Sequence, residues 1–149
     1  MAIETERKFL VQGEFLHLAT GKSEIVQTYI TVDQTKTIRL RIADEKAFLT
    51  IKSKPEPGRF SRDEWEFEIP VESAKEMMKI CMPGKIVKTR YYVPSGKHTI
   101  EVDVFHDKNE GLVIAEIELG SEDEFFIKPV WLGEEVTGQK QYYNAYLIK

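Results

Sequence analysis

Ala2-Ile3-Glu4-Thr5-Glu6-Arg7-Lys8-Phe9-Leu10 reads as extended chain, because side chains two apart in a strand share a face and here Glu4, Glu6 and Lys8 fall together. Working outward, the same period returns at Ile25 to Thr31, Thr37 to Ile42, Phe48 to Lys54 and Ser61 to Pro70. It resumes at Ile86 to Val93, Thr99 to Phe105 and Leu112 to Leu119, which makes about eight strands, with turn signals such as Pro57-Gly58 and Ser95-Gly96 between them. The main helix is expected from Ala74 to about Cys81, opened by a Ser73/Glu76 capping box and stopped at Pro83-Gly84. Shorter helices are expected near Gly13 to Ala19, after Ser121 with Glu124 completing a second capping box, and around Tyr142 to Ile148. The class is α+β.

The charges on these strands are sorted by sign. Glu4 and Glu6 share a face, as do Glu64, Glu66 and Glu68, Glu101 and Asp103, and Glu116 and Glu118. Arg39 with Arg41, Lys52 with Lys54, and Lys88 with Arg90 form basic counterparts, while Trp65, Phe67, Ile100, Val102 and Ile117 stand on opposite faces. Like charges at i and i+2 lie ~7 Å apart and repel by roughly 2 kcal/mol at an effective dielectric of ~20. Any single pair is consistent with a solvated sheet face, but pure acidic and pure basic pairs alternating along the chain point to a site. A ligand that wants both signs is a metal-bound polyanion: carboxylates take a hard cation, and Arg and Lys take phosphate oxygens. A metal triphosphate fits, and the lack of a His or Cys cluster favours Mg²⁺ over zinc. Closing the sheet into a barrel turns the charged faces inward and leaves the apolar faces for the helices to cover.

At 149 residues and 42% hydrophobic, the chain is sized for one domain over residues 1–149. Its 21 basic and 25 acidic residues leave a net charge of only -4, so no global field recruits nucleic acid or membrane. Cys81 is the single cysteine and MAIETERKFLV lacks a secretory apolar core, so a reducing, cytoplasmic location is expected. His17, His98 and His106 lack metal-ligand spacing and are expected in surface or packing roles. Cys81, Trp65 and Trp131 are read as packing residues, whereas Tyr29 suits either a packed strand position or a ligand contact.

Glu4-x-Glu6-x-Lys8, Gln27-x-Tyr29-Ile30, Arg39-x-Arg41, Leu49-Thr50-Ile51-Lys52-Ser53, Ser61-Arg62-x-Glu64-x-Glu66, Lys88-x-Arg90-Tyr91, Glu101-x-Asp103-x-Phe105, Glu116-x-Glu118 and Gly133-Glu134-Glu135-Val136-Thr137 follow one another over essentially the whole chain. In that order they resemble the CYTH domain, or triphosphate tunnel metalloenzyme, family. The resemblance implies an antiparallel eight-stranded closed tunnel barrel with flanking helices. It further implies divalent metal, Mg²⁺ or Mn²⁺, on Glu4, Glu6, Asp103, Glu116 and Glu118, and triphosphate on Lys8, Arg39, Arg41, Lys52, Arg62, Lys88 and Arg90. Glu4, Glu6, Lys8 and Glu64 are the expected catalytic group.

The C-terminal segment departs from the family pattern E-V-T-x-D-x-R-Y-x-N: Gln139 stands in place of the acid and Gln141 in place of the base, with Lys140 as a substitute cation for substrate. The implied activity is metal-dependent hydrolysis of a linear triphosphate, inorganic tripolyphosphate first and thiamine triphosphate or a nucleoside triphosphate next. Adenylate cyclase activity and a non-catalytic polyphosphate-binding module are the alternatives. The expected partner is this small-molecule substrate, with no nucleic acid or membrane and a homodimer left open.

Overall fold

Thr5 interrupts the N-terminal stretch, which forms two strands, β1 (Ala2–Glu4) and β2 (Glu6–Val11), in the computed structural model that describes residues 1–148. The Thr5 N–H donates to Glu118 Oε1 (3.1 Å), its carbonyl accepts from the Leu119 N–H (2.7 Å), and its hydroxyl meets Ser61 Oγ at 2.7 Å. With its backbone spent this way, Thr5 marks the point at which the chain changes pairing partner.

The remaining strands are β3 (Gly21–Val32), β4 (Lys36–Ala43), β5 (Lys46–Ser53), β6 (Arg62–Ile69), β7 (Ile86–Ser95), β8 (His98–Phe105), β9 (Val113–Glu118) and β10 (Leu132–Glu135). They pair antiparallel throughout, in the order β1-β6-β5-β4-β3-β7-β8-β9-β2-β10. The expected eight-stranded closed barrel is therefore corrected on two counts. The described residues form ten strands, because Thr5 splits the first and β10 joins the edge of β2. The hydrogen-bonded order also has two ends, β1 and β10, rather than closing into a ring. One residue separates β1 from β2, so β6 and β9 flank the same stretch of chain from either side, and the sheet curls its charged face inward.

Helix α1 (Val71–Met78) begins earlier than the Ser73 box predicts and ends before Cys81. Pro70 is the N-cap, its ring already holding φ at -60°, so Ser73 and Glu76 fall inside the helix and form no box. Lys79 and Ile80 donate to the carbonyls of Glu76 and Met77 three residues back, tightening the final turn. The segment near Gly13 to Ala19 holds only a 3-10 turn, Leu16–Leu18. Residues after Ser121 form a turn rather than a helix, with Glu124 Oε1 accepting from the Gly120 N–H at 2.8 Å, and the chain then runs irregularly to Pro129. The C-terminus has a 3-10 turn, Lys140–Tyr142, followed by the short helix α2 (Asn144–Leu147).

The main core lies outside the curl. Phe9, Ile100, Val102, Ala115 and Ile117 from β2, β8 and β9 pack with Phe15 and Trp131 from the connecting segments. Truncating a buried ring such as Phe9 to Ala here costs about 3–5 kcal/mol. Helix α1 packs on β4 and β5, but the expectation that helices cover every apolar face fails on β6, where Trp65 and Phe67 remain 38% and 54% exposed. No helix among the described residues is long and apolar enough to cross a membrane.

Candidate active site

Strand register decides which charges meet inside the curl. Lys8 lies opposite Glu116, Glu4 opposite Arg62, Lys52 opposite Glu64 and Arg90 opposite Asp103, so much of the repulsion along each strand is relieved across it. Glu6 opposite Glu118 and Glu101 opposite Glu116 are exceptions, acid facing acid. The inner faces enclose a cavity of about 640 Å³, reached by Glu4, Glu6, Lys8, Arg39, Arg41, Lys52, Arg62, Glu64, Arg90, Glu116 and Glu118.

Two regions of opposite character share this cavity. On one wall, Glu4, Glu6 and Glu118 each bring a carboxylate oxygen within 4.8 Å of the others. Burial raises the Glu6 pKa to about 8, with the charges of Glu116 and Glu4 adding to it. Burial likewise lifts Glu118 to about 7, helped by Glu4 and opposed by the Thr5 N–H. Burial also pushes on Glu4, but Lys52 and Arg62 override it and hold that carboxyl at about 2. Lys8 Nζ bonds Glu116 at 3.0 Å and lies 3.8 Å from Glu6, and it is held above the ordinary lysine range against the cost of burial.

On the other wall stand the β4 arginines. Arg41 has no carboxylate within ion-pair distance among the described residues; its Nε donates to Gln27 Oε1 at 3.0 Å. Burial, with Arg39 and Arg90 nearby, lowers its pKa to about 10. Arg39 reaches Thr50 Oγ1 (3.3 Å) and stands 3.8 Å from Glu66, yet its buried Nε and the buried Gln27 Nε2 find no acceptor. Such orphaned donors are costly and call for a partner.

Other residues expected at the site sit elsewhere. Asp103 stands on the same inner face as Glu101 but is fully buried and does not reach the cavity, gripped by Lys88 Nζ (2.7 Å) and by Arg90 Nε and Nη2 (2.7 and 2.9 Å). Burial opposes its ionisation, but these two cations hold its pKa below the usual aspartate value. Lys88 is likewise absent from the cavity lining, and its second bond goes to Asn144 Oδ1 at 3.0 Å. Lys140 is exposed, and Gln141 Nε2 turns to Gln139 Oε1 at 3.2 Å, away from the cavity.

Sequence reasoning passed over Tyr143, Asn144 and Glu101, all of which line the cavity. Asn144 had a signal in the final position of the Y-x-N pattern, and Glu101 in its pairing with Asp103, but Tyr143 had none. Tyr29, open to two readings, is 4% exposed and does reach the cavity. His98 also reaches the rim, with Nε2 2.5 Å from Glu124 Oε2; His17 and His106 do not reach it. Cys81 is half-buried, its thiol donating to the Met77 carbonyl.

Both the sequence and the fold have counterparts among known proteins. The CYTH domain model matches residues 2–145, and the chain belongs to the CYTH domain family. An inorganic triphosphatase of Acetivibrio thermocellus is 44% identical, with 100% of this chain and 95% of that protein covered. An inorganic triphosphatase of Nitrosomonas europaea is 38% identical over 97% of this chain and 95% of its own. Among solved structures, a crystal structure of an inorganic triphosphatase superposes with a TM-score of 0.67 at 33% identity, covering 99% of this chain and 95% of the other.

Proposed function

We propose that this protein is a metal-dependent inorganic triphosphatase, hydrolysing a phosphoanhydride of tripolyphosphate to orthophosphate and pyrophosphate. The observation that carries this reading is the pairing of deficits in one cavity. Arg41 and Arg39, whose Nε finds no acceptor, want an anion, while the Glu4, Glu6 and Glu118 oxygens want a cation. The two relatives of nearly full coverage bear the name of the same activity and give the substrate its identity.

Glu4, Glu6 and Glu118, with Glu116 beside them, are the residues that would hold a divalent metal. Their all-oxygen donor set suits Mg²⁺ or Mn²⁺ rather than a thiolate- or imidazole-seeking ion. Once bound, such an ion would neutralise phosphate oxygens and so lower the barrier to attack.

The chain's own residues do the rest. Arg39, Arg41 and Arg90 offer planar forks to the phosphate oxygens, and Lys8, Lys52 and Arg62 supply further cations from the opposite wall. Asp103 orients Arg90 through two bonds, which fixes the plane of its fork. Glu64, half-buried and raised above the ordinary glutamate range by burial and by Glu4 and Glu66, despite Lys52 at 3.6 Å, is suited to take a proton from the attacking water. The water oxygen bonds to the terminal phosphorus, the bridging P–O bond breaks, and charge on the departing pyrophosphate is met by the arginines.

Phosphate release measured on tripolyphosphate, thiamine triphosphate and ATP, each with Mg²⁺, Mn²⁺ and chelator, tests the reading. Tripolyphosphate should turn over fastest, and only with metal. Cyclic AMP from ATP would instead establish a cyclase, and tight binding of all three compounds without turnover would establish a binding module.

A further inference from the structure

We infer that Tyr143 is a positioning residue of the anion site: its ring holds Lys8 and Arg62 in place, and the C-terminal segment is therefore a working wall of the cavity. Lys8 Nζ lies 5.6 Å and the Arg62 guanidinium carbon 5.8 Å from the centre of this one ring. Both distances fall inside the ~6 Å reach of a cation–π contact. The two cations come from different places, Lys8 from β2 and Arg62 from β6, on either side of the Thr5 break. Each is already drawn toward an acid, Lys8 to Glu116 at 3.0 Å and Arg62 to Glu4 at 3.1 Å. The ring adds an attraction that leaves the N–H donors free, since a π face accepts the cation's field without occupying its hydrogen bonds. It thereby fixes two like charges near each other before any anion arrives.

The placement of Tyr143 is secured by the residues that follow it. Lys88 anchors the neighbouring Asn144 at 3.0 Å, Asn109 Nδ2 donates to the Leu147 carbonyl at 2.7 Å, and Leu147 packs with Ile86, Phe105 and Ile114. Position 143 is a variable one in the family pattern, whereas the positions where that pattern carries an acid and a base, 139 and 141, hold glutamines that bond each other outside the cavity. In this chain the segment's contribution to the site therefore passes through an uncharged ring.

The inference rests on the triphosphatase reading, and steady-state kinetics on the full chain with Mg²⁺ and tripolyphosphate separate the two. If the wild-type protein releases no phosphate, the reading itself fails. Given wild-type turnover, Tyr143→Leu should raise KM about tenfold while kcat changes less than about threefold, because the ring supports cations that grip the substrate in ground and transition state alike. Tyr143→Phe and Tyr143→Trp keep a π face and should restore KM to within about twofold of wild type. Calorimetric binding of tripolyphosphate in the presence of chelator should weaken in Tyr143→Leu and recover in Tyr143→Phe. Should Tyr143→Leu not fold, Tyr143→Met takes its place in the series. A wild-type KM in the aliphatic variant, or a Phe variant as impaired as Leu, overturns the inference.

Discussion

Metal affinity should depend on pH, because two of the carboxylates that would hold the ion, Glu6 and Glu118, carry protons near neutrality in the metal-free protein. Glu6 titrates at about 8 and Glu118 at about 7, each raised by burial and by neighbouring acids. A cation must displace both protons. Between pH 8 and pH 6, protonation of Glu6 and Glu118 should lower metal affinity by more than about tenfold. At pH 7, binding should release roughly one proton or more per ion, chiefly from Glu6. Stability follows the same groups. The folded pKa of Glu6 lies above its unfolded value of 4.5, so the metal-free fold keeps this proton's contribution at low pH and loses it as pH rises through about 8. Glu4 has the opposite sign: held at about 2, it stabilises above 4.5 and that contribution is lost as pH falls through 2. Isothermal titration of Mn²⁺ into the substrate-free protein, in buffers of differing ionisation enthalpy, reads both affinity and protons released. A flat affinity from pH 6 to 8 with no proton release would falsify the assignment of Glu6 and Glu118 to the metal.

Other perturbations separate binding from folding. Arg41→Ala should raise the KM for tripolyphosphate by about tenfold or more at a stability cost of about 1–2 kcal/mol, since it leaves the buried Gln27 carbonyl unpaired but no carboxylate; kinetics and thermal melts together check this. Lys88→Met should act on the fold instead, because it breaks a fully buried pair with Asp103 and releases Asn144; a loss of about 3 kcal/mol, or a Tm drop of about 10 °C, is expected by calorimetry. Glu4→Gln should weaken metal binding yet tighten tripolyphosphate binding in chelator by freeing Lys52 and Arg62. At pH 9, where Glu118 is ionised, Glu118→Gln removes the same charge without freeing a cation, so an equal gain there would show that net charge alone is responsible.

The strands were legible because apolar and charged residues alternate with period two, which is why β3 to β9 each appear within a few residues of the expected bounds. The break at Thr5 was hidden, since it is made by partners 56 and 113 residues away that no local pattern reports. Strand β10 was hidden too, being four residues with Gly133 pressed close to the Leu10 carbonyl and no alternation to mark it. At the site, residue types were readable but register was not. Nothing in the sequence says that Glu6 faces Glu118, or that Asp103 is spent on Arg90 and Lys88 rather than reaching the cavity. Tyr143 shows the same limit most clearly, since an aromatic residue in a short irregular segment becomes part of the site only when the C-terminus docks.

Metal-dependent cleavage of an inorganic triphosphate is the activity that the paired deficits of this cavity suit. Phosphorus NMR of tripolyphosphate incubated with the full chain and Mg²⁺ addresses it most directly. The tripolyphosphate signals should decay into orthophosphate and pyrophosphate in equal amounts, and the reaction should stop when chelator is added. A spectrum that stays unchanged with Mg²⁺ and with Mn²⁺, or cleavage that continues undiminished in chelator, would contradict it.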